Sequence, residues 1–164
     1  TTGAMSGMVF LKGGIGLDNQ SNNNIYLGGF TSRVSFSLAS GGTSQRGPGV
    51  LIYKDDGSGT LAHRTDSGEP VLTDEWCSAG YSAYVSSTNV LTVTIYKNGV
   101  NVSQGTYSIS DNLPNGSREV NMGGWSSGYG EFSGQYNNWM FFKTQLDDTD
   151  FKQIHNSFKG RYGI

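Results

Sequence analysis

The chain has one cysteine, Cys77, three prolines and only two histidines, His63 and His155. A single cysteine excludes an internal disulfide framework and a thiolate metal cluster. Cys77 itself reads as a small buried residue on a strand. Neither histidine stands at a spacing from Cys or Glu that suits zinc. Charged residues are scarce at 15% and the net charge is −2, so the basic footprint of a nucleic-acid binder is missing. No apolar run approaches the roughly 18 residues of a membrane span, and no signal peptide is visible. Thr1-Thr2-Gly3-Ala4 reads as a processed or engineered start, which leaves room for the chain to be part of something larger. There is no phosphate loop and no G-x-S-x-G elbow, and scattered residues make no Ser–His–Asp triad.

What is abundant is glycine, 25 residues of it, with much Ser and Asn and 12% aromatics. Charge is too low and aromatics too many for a disordered chain. Many short strands joined by tight turns fit better. At 164 residues the length predicts one domain, residues 1–164, large enough to bury a core without staples.

The pattern of alternation places short strands along most of the chain: Met8–Leu11, Ile25–Leu27, Arg33–Leu38, Val50–Tyr53, Thr60–Arg64 and Trp76–Val85. They continue through Val90–Tyr96, Val100–Gln104, Gly105–Ile109 and Glu119–Met122. Gly41–Gly49, Asp111–Ser117 and Trp125–Gly130 read as loops. Asp55-Asp56-Gly57-Ser58-Gly59 and Asn98-Gly99 are hairpin turns. On the strands, Cys77, Ala79, Tyr81 and Ala83 share one face, and Leu91, Val93 and Ile95 point inward. The stretch Glu131–Phe158 holds one long strand and then a short helix. Phe132, Tyr136, Trp139 and Phe141 are an aromatic set for one face, with Asn137-Asn138 inserting one residue as a bulge does. Phe151, Ile154, His155 and Phe158 then fall at i, i+3, i+4 and i+7, a helical stripe. His155 in that stripe reads as a packed or half-exposed histidine. Asp147 suits the N-cap, Asp148 and Asp150 the first turn, and Lys159-Gly160 the end. A helix this short must dock its stripe on the β-structure.

Several of these residues carry a resemblance. Phe132, Gly134, Tyr136, Asn137, Asn138, Trp139, Phe141, Leu146, Asp147, Asp150 and Phe151 match the closing signature of laminin-G-like domains of the concanavalin A-like lectin superfamily. Trp76, Leu91–Tyr96, Lys97-Asn98-Gly99-Val100 and Val120-Asn121-Met122-Gly123-Gly124 are similar to runs upstream of that signature. The resemblance implies an all-β, concanavalin A-like jelly-roll β-sandwich of two antiparallel sheets with one short C-terminal helix, with Trp76 and Trp139 in its core. The ending Asn156–Ile164 also resembles the close of lectin-like domains of phage structural and tail-fibre proteins.

Glucanases of the superfamily carry E-x-D-x-x-E on one strand. The nearest run here, Glu69 to Glu75, has other spacing and contains Pro70, so paired-carboxylate catalysis is not expected. Carbohydrate binding needs exposed aromatic faces with planar polar groups nearby. Trp125 and Tyr129, in a Gly/Ser loop, are the candidate rings, and Trp125 reads equally as a rim residue capping the core. Asn137, Asn138 and Arg64 are the candidate polar partners, with Asp66 beside them. Laminin-G-like and pentraxin-like relatives often hold calcium at one rim, which makes Asp55, Asp56 and Asp66 candidate Ca²⁺ ligands; Asp-Asp-Gly is equally plain turn chemistry. The family's acidic pair is replaced by Asn137 and Asn138. Sequons at Asn19, Asn101 and Asn115 matter only in a eukaryotic secretory setting.

The expected function is a non-enzymatic, lectin-like module binding cell-surface glycan or glycoprotein, as an extracellular or virion-surface attachment head. Weak single sites would be compensated by multivalency, for instance as a homotrimer in a fibre. A structural or decorating domain without glycan binding is the second reading, and a degenerate glucanase the third.

Overall fold

A computed structural model describes residues 3–13, 24–31, 34–40, 46–53, 60–66, 74–86, 88–109 and 134–164. For most of the strands between 24 and 66 it is the backbone that is described. Two antiparallel sheets result. One has five strands in the order β8 (Val100–Ser108), β7 (Val90–Lys97), β6 (Trp76–Val85), β1 (Gly3–Gly13) and β9 (Gly134–Phe142). The other has four in sequence order: β2 (Asn24–Thr31), β3 (Val34–Ser40), β4 (Arg46–Tyr53) and β5 (Thr60–Asp66). Helix α1 (Asp148–Tyr162) closes the chain.

The five-stranded sheet is buried on both faces, and its alternation shows how. Val9, Leu11, Ala79, Tyr81, Val93 and Ile95 point toward the four-stranded sheet, where Val50 meets them. Met8, Phe10 and Tyr96 point the other way and pack under Phe151 of α1. Period-two alternation puts neighbours on opposite faces, so one set of strands serves two cores. Cys77, Ala79, Tyr81 and Ala83 do share the inner face. Trp139 packs against that inter-sheet core, whereas Trp76 sits on the other side, its ring 4.7 Å from Tyr162.

Three boundaries differ from the sequence pattern. β1 begins at Gly3, five residues before the apolar run. Ala4, Ser6 and Gly7 have little strand propensity, yet β1 is paired on both sides, and a Cβ at position 7 would lie 2.7 Å from the Tyr81 ring. Tertiary pairing overrides local preference here. β4 begins at Arg46 and takes in Pro48, a stretch the sequence assigns to a loop. The last described β4–β5 pair is Gly49 with Asp66, so Pro48 lies beyond it and withholds no ladder donor on that side. Val100–Ser108 is one strand, β8, rather than two.

The helix also runs past Gly160. Its start is as expected: Asp147 Oδ1 accepts the N–H groups of Thr149 (2.8 Å) and Asp150 (3.0 Å), and Asp150 Oδ2 accepts the Asp147 N–H at 3.0 Å. Its end is Gly163, left-handed at φ 71°, whose N–H bonds to Lys159 O. Tyr162 extends the stripe by one turn and stacks on Phe10 at 4.8 Å. A side chain at Gly160 would meet nothing, so that glycine faces outward and does not stop the helix. The Gly-Arg-Tyr-Gly-Ile ending thus has a packing role: Tyr162 and Ile164 dock, Gly163 caps, and Arg161 stands over Phe158 at 5.7 Å.

Candidate functional site

β9 is the strand that carries both halves of the candidate site. Between Met8–Met140 and Phe10–Asn137 the β1–β9 register shifts by one residue, the bulge expected at Asn137-Asn138. Asn138 takes the left-handed conformation (φ 50°) that the bulge demands, which asparagine tolerates better than most residues. Because of that extra residue, Tyr136 and Trp139 fall on the same face although three apart. Their rings meet edge to face at 5.7 Å, and Trp139 stacks on Phe141 at 5.8 Å. Trp139 and Phe141 are half-buried, while Tyr136 at the strand's start is 38% exposed. The sequence pattern places Tyr136 with the buried aromatics; what exposes it is its position at the end of the sheet, which periodicity does not report.

The two asparagines have different roles. Asn138 Nδ2 donates to Tyr162 OH at 2.7 Å, tying the bulge to the last turn of α1. One of the two N–H donors of that amide is thereby engaged with the helix. Asn137 is exposed; its Oδ1 accepts the Asn138 N–H at 2.8 Å, and its NH₂ group remains to donate outward.

The remaining expected contacts do not converge on β9. Arg64 and Asp66 lie on β5, which faces β7 and β8 across the sandwich, whereas β9 lies beyond β1 at the other side of the five-stranded sheet. The backbone at Arg64 thus belongs to the four-stranded sheet and that at Asn137 to the five-stranded one. The β4–β5 register shifts twice, between Val50 and Ile52 and between Ile52 and Tyr53, so β5 carries one extra residue at 63–64 and another at 61. Residues 54–59 connect Tyr53 to Thr60, which are paired, while Asp66 pairs with Gly49 at the other end of the hairpin. At about 3.3 Å per residue Asp66 is ~20 Å along from Thr60. Trp125, Tyr129, Asp55 and Asp56 themselves lie outside the described residues, as do the side chains of Arg64 and Asp66.

Among the described residues no group of three or more His, Cys, Asp or Glu is placed to hold a metal. The described acids have structural partners for the most part. Asp74 pairs with Lys12 at 3.0 Å, Asp147 and Asp150 cap α1, and Asp148 Oδ1 accepts the Tyr96 hydroxyl at 2.8 Å. Burial first, then that hydrogen bond, push the Tyr96 phenol well above its ordinary range. His155 is 8% exposed, with Nδ1 2.9 Å from Ser78 Oγ and its ring parallel to Phe10. Burial, and secondarily Lys159, lower its pKa, so it is a packed neutral histidine in the helix seam. Cys77 is buried on β6 and its thiol is pushed up to about 12 by desolvation.

No protein-family model matches the chain, and no curated protein matches it in sequence. Solved structures do match in fold. Domain 4 of an extracellular GH43 arabinanase from Geobacillus stearothermophilus, in complex with arabinotriose, superposes with a TM-score of 0.62 at 14% identity, covering 94% of this chain and 68% of that one. The fold is an antiparallel β-sandwich jelly roll. A native heptameric SAP-like pentraxin from Limulus polyphemus gives 0.61 at 12% identity over 94% of this chain and 70% of its own. The CBM40 of a Ruminococcus gnavus IT-sialidase, bound to α2,6-sialyllactose, gives 0.59 at 13% identity over 94% and 84%. The chain spans 41% of a Bacteroides ovatus protein that it matches at TM-score 0.60 and 15% identity. The all-β, concanavalin A-like jelly roll of two antiparallel sheets with a C-terminal helix stands as expected, with α1 on the outer face of the five-stranded sheet.

Proposed function

We propose that this chain is a non-enzymatic, lectin-like module that binds glycan outside the cell, as the attachment head of a larger surface or virion protein. The observation that carries the reading is Tyr136. Its ring is exposed and meets Trp139 edge to face on the inter-sheet face, while Asn137, paired with Phe10, follows it on the strand and belongs to the helix-side face. A rigid aromatic face offers the apolar side of a sugar ring a large contact at little entropic cost, and amides suit its hydroxyls. Residues 125–133 lead directly into β9, so Trp125 and Tyr129 are the proposed partners of Tyr136. The solved structures with arabinotriose and α2,6-sialyllactose support the reading through a shared fold.

Calcium belongs to the proposal at Asp55, Asp56 and Asp66, hard oxygen ligands of the kind the ion prefers. The test is a glycan array with the domain presented multivalently, with and without chelator, repeated on Trp125→Ala and Tyr136→Ala. Binding that falls about tenfold or more in either variant, the ~1.4 kcal/mol of one aromatic anchor, supports the site. Chelator-resistant binding removes the metal and keeps the lectin. No binding by the multivalent wild type removes the proposal in favour of a structural or decorating domain.

A further inference from the structure

Among the described residues β8 is the outermost strand of the five-stranded sheet on the side away from β9. Natural edge strands are usually protected by lysine, proline or brevity. β8 has none of these: from Asn98 to Ser110 the sequence contains no charged residue and no proline, and the strand runs nine residues. Its one irregularity, the register shift between Ile95 and Tyr96, lies near the hairpin end. From Ser103 to Ser108 the pairing with β7 is regular.

The backbone direction of that regular stretch is settled at both ends. The two-residue Asn98-Gly99 turn makes Lys97 and Val100 a hydrogen-bonded pair. At the other end the Ile109 N–H reaches inward to Asn89 O at 2.9 Å. Antiparallel strands alternate between pairs that exchange hydrogen bonds and pairs that turn those groups away. Ser103, Gly105, Tyr107 and Ile109 therefore bond inward, and Gln104, Thr106 and Ser108 direct N–H and C=O away from β7. All three of these residues are exposed.

We propose that β8 is a pairing edge for a second copy of this chain, antiparallel about a two-fold axis through Thr106. Thr106 then faces its own copy, and Gln104 faces Ser108 of the other chain. Three such pairs exchange about six backbone hydrogen bonds and join two five-stranded sheets into one. The occupant is argued from the strand's chemistry. Every side chain on this segment is neutral, so a copy meets no like charge across the axis, and Thr–Thr and Gln–Ser are favourable cross-strand neighbours. A foreign charged segment finds nothing here to pair with. Helix α1 approaches the hairpin at Gly99, where His155 and Lys152 lie within 3 Å of a Cβ built there, seven residues along the chain from Thr106. The paired segment is short and buries less than the ~1,000 Å² of a standard interface, so the dimer is weak and concentration-dependent. The inference is independent of the glycan reading, although two linked heads would bind an array of glycans more tightly than one.

Sedimentation velocity of the wild-type domain from about 10 μM to about 1 mM, where weak association is visible, should show a monomer–dimer equilibrium. Thr106→Pro removes only an outward N–H and should be monomeric throughout with an unchanged melting temperature. Thr106→Lys places like charges opposite each other and should also be monomeric. Thr106→Cys should give a covalent dimer under mild oxidation, because paired Cα atoms stand about 5.5 Å apart and Cys77 is buried. A wild type that stays monomeric at every concentration overturns the proposal, as does a dimer unchanged by Thr106→Lys. Should Thr106→Pro also melt lower, the lysine and cysteine variants, which keep every backbone donor, decide.

Discussion

Gly80 offers the sharpest test of how α1 is held. It sits on the outer face of β6, opposite Met8 of β1 and Tyr96 of β7. A Cβ built there would lie 2.5 Å from Phe151 Cε1, 3.0 Å from its Cδ1 and 3.1 Å from Gly7 O. Carbon atoms prefer about 3.5–4.0 Å, so the ring must retreat by ~1 Å. It has no easy way to do so. Phe151 is fully buried and lies nearly parallel on Tyr96 at 3.8 Å, so the ring can give way only by lifting the helix. Gly80→Ala should therefore cost about 1–3 kcal/mol, the range for overpacking a tight core. In a chain of this length that is a fall in melting temperature of roughly 2–4 °C per kcal/mol. Phe151→Ala alone should cost about 3–5 kcal/mol, because it empties the anchor position. The double variant should cost less than the sum by at least ~1 kcal/mol, since the new cavity accepts the methyl group added at position 80. Urea unfolding of the four proteins closes the cycle. A Gly80→Ala variant within about 0.5 kcal/mol of wild type, or strictly additive effects, would refute the close-packed seam.

Other outcomes follow from the same seam and from the inner core. Asp147→Ala removes the acceptor for the Thr149 and Asp150 N–H groups and should cost about 1 kcal/mol in thermal unfolding, with Asp147→Asn recovering most of it. Burial lowers the His155 pKa from its ordinary 6.5, so the unfolded chain binds the extra proton more readily than the folded one. The stability this contributes is complete above about 6.5 and is lost as pH falls through the window down to the folded pKa. The melting temperature of the wild type should drop between pH 7.5 and 5.5, and His155→Gln should flatten that slope; an equal slope in both would remove His155 as the cause. The Cys77 thiol, buried and pushed up to about 12, should resist a thiol reagent at pH 8 in the native protein and react at once in denaturant. Native-state labelling at the denatured rate would contradict its burial.

Local chemistry accounts for much that was legible before any coordinates. Asp147, Asp150 and the stripe through Phe158 spell a capped helix because capping and 3.6-residue periodicity are properties of neighbouring residues. The Asn98-Gly99 turn and the Asn137-Asn138 bulge are legible for the same reason: few residues accept the positive φ found at 98, 99 and 138. The inward set Leu91, Val93 and Ile95, fully buried, follows from period two. Other features depend on residues far apart in sequence. Ala4–Gly7 is strand because β6 pairs with all of it and β9 with Ser6 and Gly7, and the helix passes Gly160 because Phe10 and Trp76 receive Tyr162. The candidate site shows the division most clearly. Residue type marks Asn137, Asn138, Arg64 and Asp66 as polar groups fit to touch a ligand, and type is all that a sequence lists. The tertiary structure decides that Asn138 serves the helix and that Arg64 and Asp66 stand on the other sheet. It also decides that Tyr136, patterned like a core residue, is exposed, because only the packing of two sheets and a helix determines which end of a strand meets solvent.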